Sequence, residues 1–312
     1  MGPCLVTGGA GFIGSHIVRR LLKDGRQVRV LDDLSTGKRE NLAEAAGRIE
    51  LVEGDVCDVP TVARCMKGVA WVFHLAARAS VPRSVEQPRP AHEINVTGTL
   101  NLLIAARDAR VRRFVYSASS SAYGDTPTLP KREDMRAQPL SPYAASKLAA
   151  EHYCACWAHV YGLQTIALRY FNVFGPRQDP TSAYAAVIPA FVSRMLRGQR
   201  PVIYGNGEQS RDFCFIDNVV SANLLAAEAP EVHGEAVNIA CGDRTTLNQI
   251  VADINKLLGT SVTPEYQPPR AGDVRHSLAD ISAARQLIGY EPRVMFAEGL
   301  RRSIEWYKAN LR

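Results

Sequence analysis

The chain has 312 residues, 46% of them hydrophobic and 22% charged, with a formal net charge of +6. That length buries a substantial core and suits one large domain or two moderate ones. No apolar run approaches the roughly 18 residues a membrane helix needs, and the 30 Arg and 7 Lys are dispersed rather than gathered into a tract. A diffuse positive field suits an anionic, phosphorylated substrate as well as it suits nucleic acid, and charge alone does not separate them. Met1 leads almost directly into an apolar strand, so no secretory leader is expected and a cytoplasmic location is. The seven cysteines read as small apolar residues of a reducing compartment. Cys154-x-Cys156 falls in a helical stretch where the two side chains diverge, and no metal site is expected.

The first element is a strand over 3–7. It runs into Thr7-Gly8-Gly9-Ala10-Gly11-Phe12-Ile13-Gly14 and then into the apolar-periodic Ile17, Val18, Leu21 and Leu22. A strand, a glycine turn and a helix start form a dinucleotide cradle: Gly8 permits the turn, Gly11 lets backbone approach a pyrophosphate, and Gly14 lets helix pack on strand. A second strand over 27–32 ends in Asp32, about 20 residues past the glycines, where an acid can bind the ribose hydroxyls. NAD is therefore expected over NADP, although Lys38 and Arg39 lie just beyond. Strands at 49–53, 70–75, 113–118 and 165–170 alternate with helical spacings such as Val96, Leu100, Leu103 and Ile104. The fold class is α/β, a doubly wound parallel Rossmann sheet.

Ser117 to Gly124 follows a buried strand, and Ser141-Pro142 caps a helix expected over 143–161 that carries Tyr143 and Lys147. Positions i and i+4 share a helix face, so Tyr143 and Lys147 address one site. A tyrosine near pKa ~10 is a poor base at neutral pH, and Lys147 with the positive nicotinamide ring is the expected source of phenolate stabilisation. Ser119 can donate to the substrate oxygen as charge develops there. After Gly175-Pro176 the pattern turns irregular. A dinucleotide domain over 1–173 and a smaller mixed α/β substrate domain over 174–312 are expected, with about 212–240 returning to the first.

Along essentially its whole length the chain resembles the extended short-chain dehydrogenase/reductases of the NAD-dependent nucleotide-sugar epimerase/dehydratase family. The matching segments are Thr7 to Gly14, Asp32, Gly54-Asp55-Val56, His74-Leu75-Ala76-Ala77, Asn95, Ser119, Tyr143-x-x-x-Lys147 and Arg169 to Arg177. The resemblance implies a tightly bound, recycled NAD contacted by Gly8, Gly11, Phe12, Ile13, Gly14, Asp32, Asp55, Val56, Leu75, Ala76, Ala77, Asn95, Tyr143, Lys147 and Tyr170. It implies a UDP-sugar held by Tyr204 near the uracil, Arg211 and Arg270 on the diphosphate, and Asp273 on the uridine ribose. Two arginines neutralising a diphosphate is sound chemistry on its own. Ser80, Ser119, Ser120, Ser121, Asn172, Ala186, Val187 and Ser277 are implied around the sugar.

Dehydratases of this family resemble Thr-Asp-Glu-Val-Tyr-Gly, with acids at the positions of Ser120 and Ser121. Without those carboxylates elimination lacks its acid and base, and C4 epimerisation through a 4-keto intermediate is expected. The segment around Ser277 is similar to bacterial UDP-N-acetylglucosamine 4-epimerases of polysaccharide biosynthesis; a tyrosine stands there in epimerases restricted to non-acetylated sugars. UDP-glucose or dual specificity is the alternative, and a non-catalytic NAD-binding regulator the remote one. Relatives acting on UDP-glucuronate carry an arginine where Asp179 stands, and an acid is expected to repel a carboxylate. A homodimer is implied, through the helix after Ala91 and the helix of Tyr143, where Ala149, Ala150, Cys154 and Trp157 extend an apolar surface. No nucleic-acid or membrane partner is expected.

Overall fold

A computed structural model describes residues 2–180, 186–269 and 275–311. Six strands, β1 (Cys4–Thr7), β2 (Val28–Asp32), β3 (Ile49–Glu53), β4 (Trp71–His74), β5 (Arg113–Ser119) and β6 (Thr165–Tyr170), form one sheet with a seventh, Ala236–Ile239, that joins β6 from far along the chain. From edge to edge the order is Ala236–Ile239, β6, β5, β4, β1, β2, β3, with every pairing parallel. Helices cover both faces of such a sheet, so its inner strands read as continuous apolar runs rather than alternating ones. β1, β4 and β6 are accordingly buried along their whole length. Chain order reverses between β1 and β4, and there a crevice opens beyond the carboxyl ends of the strands.

The helix carrying Tyr143 spans Pro142–Tyr161, as its sequence spacing predicts. The Ser141 hydroxyl accepts from the Ala144 N–H at 3.1 Å at its start, and Gly162 ends it in the left-handed conformation. Ala150, Cys154 and Trp157 are 0%, 0% and 9% exposed. This corrects the expectation that they extend an outward surface. They lie at i, i+4 and i+7 on the face that also bears Tyr143 and Lys147, and that face packs on the protein's own sheet. The exposed apolar residues of this helix include Val160 and Tyr161.

Beyond β6 come short pairings: Val173–Phe174 with Cys214–Phe215, Val202–Tyr204 with Glu265–Gln267, and Ser210–Arg211 with Thr245–Thr246. Phe174, Phe213, Phe215 and Phe296 form an aromatic cluster with ring centres 5.5 to 6.1 Å apart. The cluster ties these segments together and shares one buried core with Leu168 and Ile239 of the sheet. No helix among the described residues is long and apolar enough to cross a membrane.

Candidate active site

At the crevice, Gly8 has φ +68°, and a Cβ there would lie 2.7 Å from the Ala76 backbone nitrogen. Only glycine allows the turn to lie so close to the end of β4. A side chain at Gly14 would strike the Gly8 carbonyl, so the helix Phe12–Lys23 starts in direct contact with the turn. At Gly11 an added Cβ meets nothing nearer than the Gly8 carbonyl at 3.2 Å. Gly11 therefore keeps a helix N-terminus open, and no side chain caps it. Asp32 closes the cradle. Its carboxylate accepts from Ala10 N–H at 2.8 Å and Leu34 N–H at 2.9 Å, which leaves lone pairs on both oxygens for hydroxyl donors. This is a fit to the adenosine ribose and pyrophosphate of a dinucleotide.

The turn opens into one continuous cavity of about 860 Å³, within the range of ligand pockets. Its cofactor-side wall includes Gly8, Gly11, Phe12, Ile13, Gly14 and Asp32, then Asp55, Val56, Leu75, Ala76, Ala77 and Tyr170. Its far wall includes Asn172, Ala186, Val187, Tyr204, Arg211 and Ser277. Ser119, Ser120, Ser121, Tyr143 and Lys147 line the same cavity.

Two expected residues stand apart. Ser80 caps the helix Val81–Glu86, its hydroxyl accepting from Arg83 N–H at 3.3 Å, and lines a separate recess of about 180 Å³. Asn95 is 1% exposed behind the wall, where its amide accepts from Arg78 N–H at 2.8 Å and donates to the Ser146 hydroxyl at 2.9 Å. Arg270 and Asp273 lie outside the described residues.

Ser119 ends β5, beside Tyr170 of β6. Its hydroxyl lies 2.8 Å from that of Ser121 and accepts from the Ser121 N–H at 3.2 Å. Burial pushes the Tyr143 phenol above its ordinary value, partly offset by the Ser119 hydroxyl. Lys147 donates to the Ser117 carbonyl at 2.7 Å and stands 5.0 Å from the centre of the Tyr116 ring. Burial pushes its ammonium down to about 7. Desolvation thus disfavours both charged forms, phenolate and ammonium.

On the far wall, Asn172 donates to the Ser277 hydroxyl at 3.1 Å and to the Asp212 carbonyl at 3.0 Å. The Asp212 carboxylate, pushed up to about 6 by burial, accepts from the Cys241, Gly242 and Ala279 N–H groups and so ties the segments at 241–242 and 279 to its own. Asp179 is not among the cavity-lining residues and pairs with Lys38 at 2.7 Å. The repulsion expected from it toward a sugar carboxylate therefore has no support in its position. Sequence reasoning misses Lys131, which is 2% exposed, lines the cavity and donates to Thr126. A lone lysine in an irregular loop carries no periodicity to mark it.

A glycine-turn cradle sharing one cavity with a Ser–Tyr–Lys cluster defines a dinucleotide-dependent enzyme that interconverts a hydroxyl and a carbonyl. The chain belongs to the NAD dependent epimerase/dehydratase family, which matches residues 4–240, and its cofactor is NAD. It is 41% identical over 308 residues to a UDP-glucose 4-epimerase of Mycolicibacterium smegmatis, covering 97% of this chain and 98% of that protein. Among solved structures it is similar to a UDP-N-acetylglucosamine 4-epimerase from Methanobrevibacter ruminantium M1 in complex with UDP-N-acetylmuramic acid (TM-score 0.95, 42% identity, 99% of each chain). It is also similar to a Thermus thermophilus UDP-glucose 4-epimerase in complex with NAD (TM-score 0.90, 37% identity, 99% of this chain and 100% of that one).

Proposed function

We propose that this chain is a UDP-hexose 4-epimerase that accepts N-acetylated sugars, interconverting UDP-N-acetylglucosamine and UDP-N-acetylgalactosamine. One observation carries the reading: Ser119, Tyr143 and Lys147 meet on one cavity with Ser120 and Ser121, where the resemblance puts the acids of an elimination. Bound NAD would supply the hydride acceptor and donor through which C4 could pass as a ketone and be inverted. Tyr143 takes the C4 hydroxyl proton and gives it back. Ser119, on the same cavity, donates to the same oxygen. Lys147, fixed by the Ser117 carbonyl, brings its ammonium to the same cavity. Because burial alone keeps the phenol protonated, activation of Tyr143 depends on positive charge gathered in the loaded site.

Ser277 supports the N-acetyl reading. Its small side chain lines the cavity wall and is hydrogen-bonded to Asn172, leaving room that an aromatic side chain would fill. The cavity also takes a non-acetylated hexose, the substrate named for two of the similar proteins. Contacts to the UDP diphosphate are assigned to Arg211 and Arg270, the uridine to Tyr204 and Asp273, and the N-acetyl pocket to Asn172, Ala186 and Ser277, without Ser80, which lines the separate recess. A homodimer is assigned to the helix after Ala91 and to Pro142–Tyr161, where Ile104, Val160 and Tyr161 are exposed. A cytoplasmic role in making surface-polysaccharide precursors follows from the same resemblance. Incubation with UDP-N-acetylglucosamine and no added NAD is expected to yield the galacto epimer. Turnover of UDP-glucose alone would move the assignment to the non-acetylated sugars, and inactivity on both with NAD bound would overturn it.

A further inference from the structure

Beneath the cavity wall a chain of buried hydrogen bonds crosses from the glycine turn to the helix of Tyr143. The Ala76 N–H donates to the Thr7 hydroxyl at 3.3 Å. Thr7 Oγ1 lies 2.7 Å from His74 Nδ1, His74 Nε2 lies 2.8 Å from Thr99 Oγ1, and Thr99 donates to the Asn95 carbonyl at 2.6 Å. Asn95 then donates to Ser146, whose hydroxyl donates to the Tyr143 carbonyl at 2.8 Å. Thr7, His74, Asn95 and Thr99 are each at most 1% exposed.

The direction of every bond follows from what each atom can do. The Asn95 carbonyl only accepts, so Thr99 spends its proton there and must accept from His74. His74 therefore carries its proton on Nε2, and its bare Nδ1 accepts from Thr7, whose lone pair takes the Ala76 N–H. Burial, with the positive charge of Lys147, pushes the ring down to about 3, so it stays neutral. Placing a second proton on Nδ1 would leave the Thr7 hydroxyl proton facing a donor. The ring is also held by Phe114 and Tyr116, with centres 5.9 and 5.6 Å away.

We infer that His74 is a positioning residue for hydride transfer: as a fixed Nε2–H imidazole it ties the Thr7–Gly8 turn and the Leu75–Ala77 wall, which face NAD, to the helix segment that holds Asn95 and, through Ser146, the Tyr143 backbone. Its role is to hold the cofactor cradle in register with the catalytic phenol. The inference rests on Tyr143 as the base, but its test reads the cofactor separately from the reaction.

The experiment compares the wild-type enzyme with His74→Leu, His74→Gln and Thr99→Val. An amide at position 74 can accept from Thr7 and donate to Thr99, whereas leucine can do neither. His74→Leu is expected to lose most of its co-purified NAD on gel filtration and to lower kcat by at least about tenfold while the KM for the UDP-sugar stays within about twofold. His74→Gln is expected to regain NAD retention, and Thr99→Val to fall between. If His74→Leu folds with a lowered Tm but keeps its NAD and kcat, the role is packing alone and the inference fails. Should that variant not fold, Thr99→Val and the histidine ring-nitrogen NMR spectrum of the wild-type enzyme decide. A neutral Nε2–H tautomer unchanged from about pH 5 to 9 is expected, and an Nδ1–H or doubly protonated ring overturns it. Loss of all sugar turnover in the wild-type enzyme would instead sink the proposed reaction and leave the NAD readout standing.

Discussion

Lys147 donates its ammonium proton to the carbonyl of Ser117 at 2.7 Å, and burial pushes it down to about 7. Its folded value lies below its ordinary one, so the unfolded chain binds more protons between about pH 7 and pH 10 and stability rises with pH across that window. Lys147→Met removes a buried charge. It is expected to abolish turnover yet raise Tm at pH 7, with the gain shrinking toward pH 10. Thermal melts from pH 6 to 10 check this, and parallel curves for the two proteins would contradict it.

Tyr143→Phe deletes the phenol oxygen while keeping the ring. A loss of about 10³-fold or more in kcat is expected, with unchanged circular dichroism and NAD still bound. A folded variant that retained full turnover would remove Tyr143 from the role of base.

Ser277→Tyr is expected to fill the volume beside Asn172. Turnover of UDP-N-acetylglucosamine should drop by about 10²-fold while UDP-glucose changes little. Equal losses on both sugars in kcat/KM measurements would show that the wall does not select at C2.

The segment 176–179 is strapped to the cofactor half. His16 donates to the Pro176 carbonyl, Arg177 pairs with Glu44 at 2.8 Å, and Asp179 pairs with Lys38 at 2.7 Å. Lys38 N–H in turn donates to the Ala10 carbonyl within the glycine turn. Lys38→Asp is expected to speed NAD release about twofold to fivefold, as for an exposed pair, and Lys38→Asp with Asp179→Lys to restore it. Cofactor dissociation followed by fluorescence measures both. No change in the single variant would detach the strap from cofactor retention.

Glu151 and Arg169 form a bidentate pair at 2.6 and 2.9 Å, each side chain 7% exposed. Glu151→Gln leaves the guanidinium buried without its counter-charge. A loss of about 3–5 kcal/mol in urea unfolding is expected, and a loss below about 1 kcal/mol would show that Tyr123, which also accepts from Arg169, and water suffice.

How much was legible in the sequence depended on how local the signal was. The six early strands, the Gly8–Gly14 turn and the helix beginning at Pro142 lie within windows where apolar period and capping chemistry act between near neighbours. The chain thus exposed its sheet class, its cofactor cradle and the shared face of Tyr143 and Lys147. The strand Ala236–Ile239 joins β6 across some seventy residues of sequence, and no local pattern names its partner.

By itself, then, the sequence determined the doubly wound sheet, the Asp32 and glycine cradle, and the Ser119, Tyr143, Lys147 set, because residue type and spacing fix those. Only the tertiary structure decided which side chains reach the cavity. It put Asn95 behind the wall, Ser80 on a helix cap, Asp179 on Lys38, and Ala150, Cys154 and Trp157 against the sheet. It also brought Thr7, His74 and Thr99 into contact, residues 67 and 25 positions apart along the chain. Burial and hydrogen-bond satisfaction settle such matters, and both are properties of what surrounds a residue after folding.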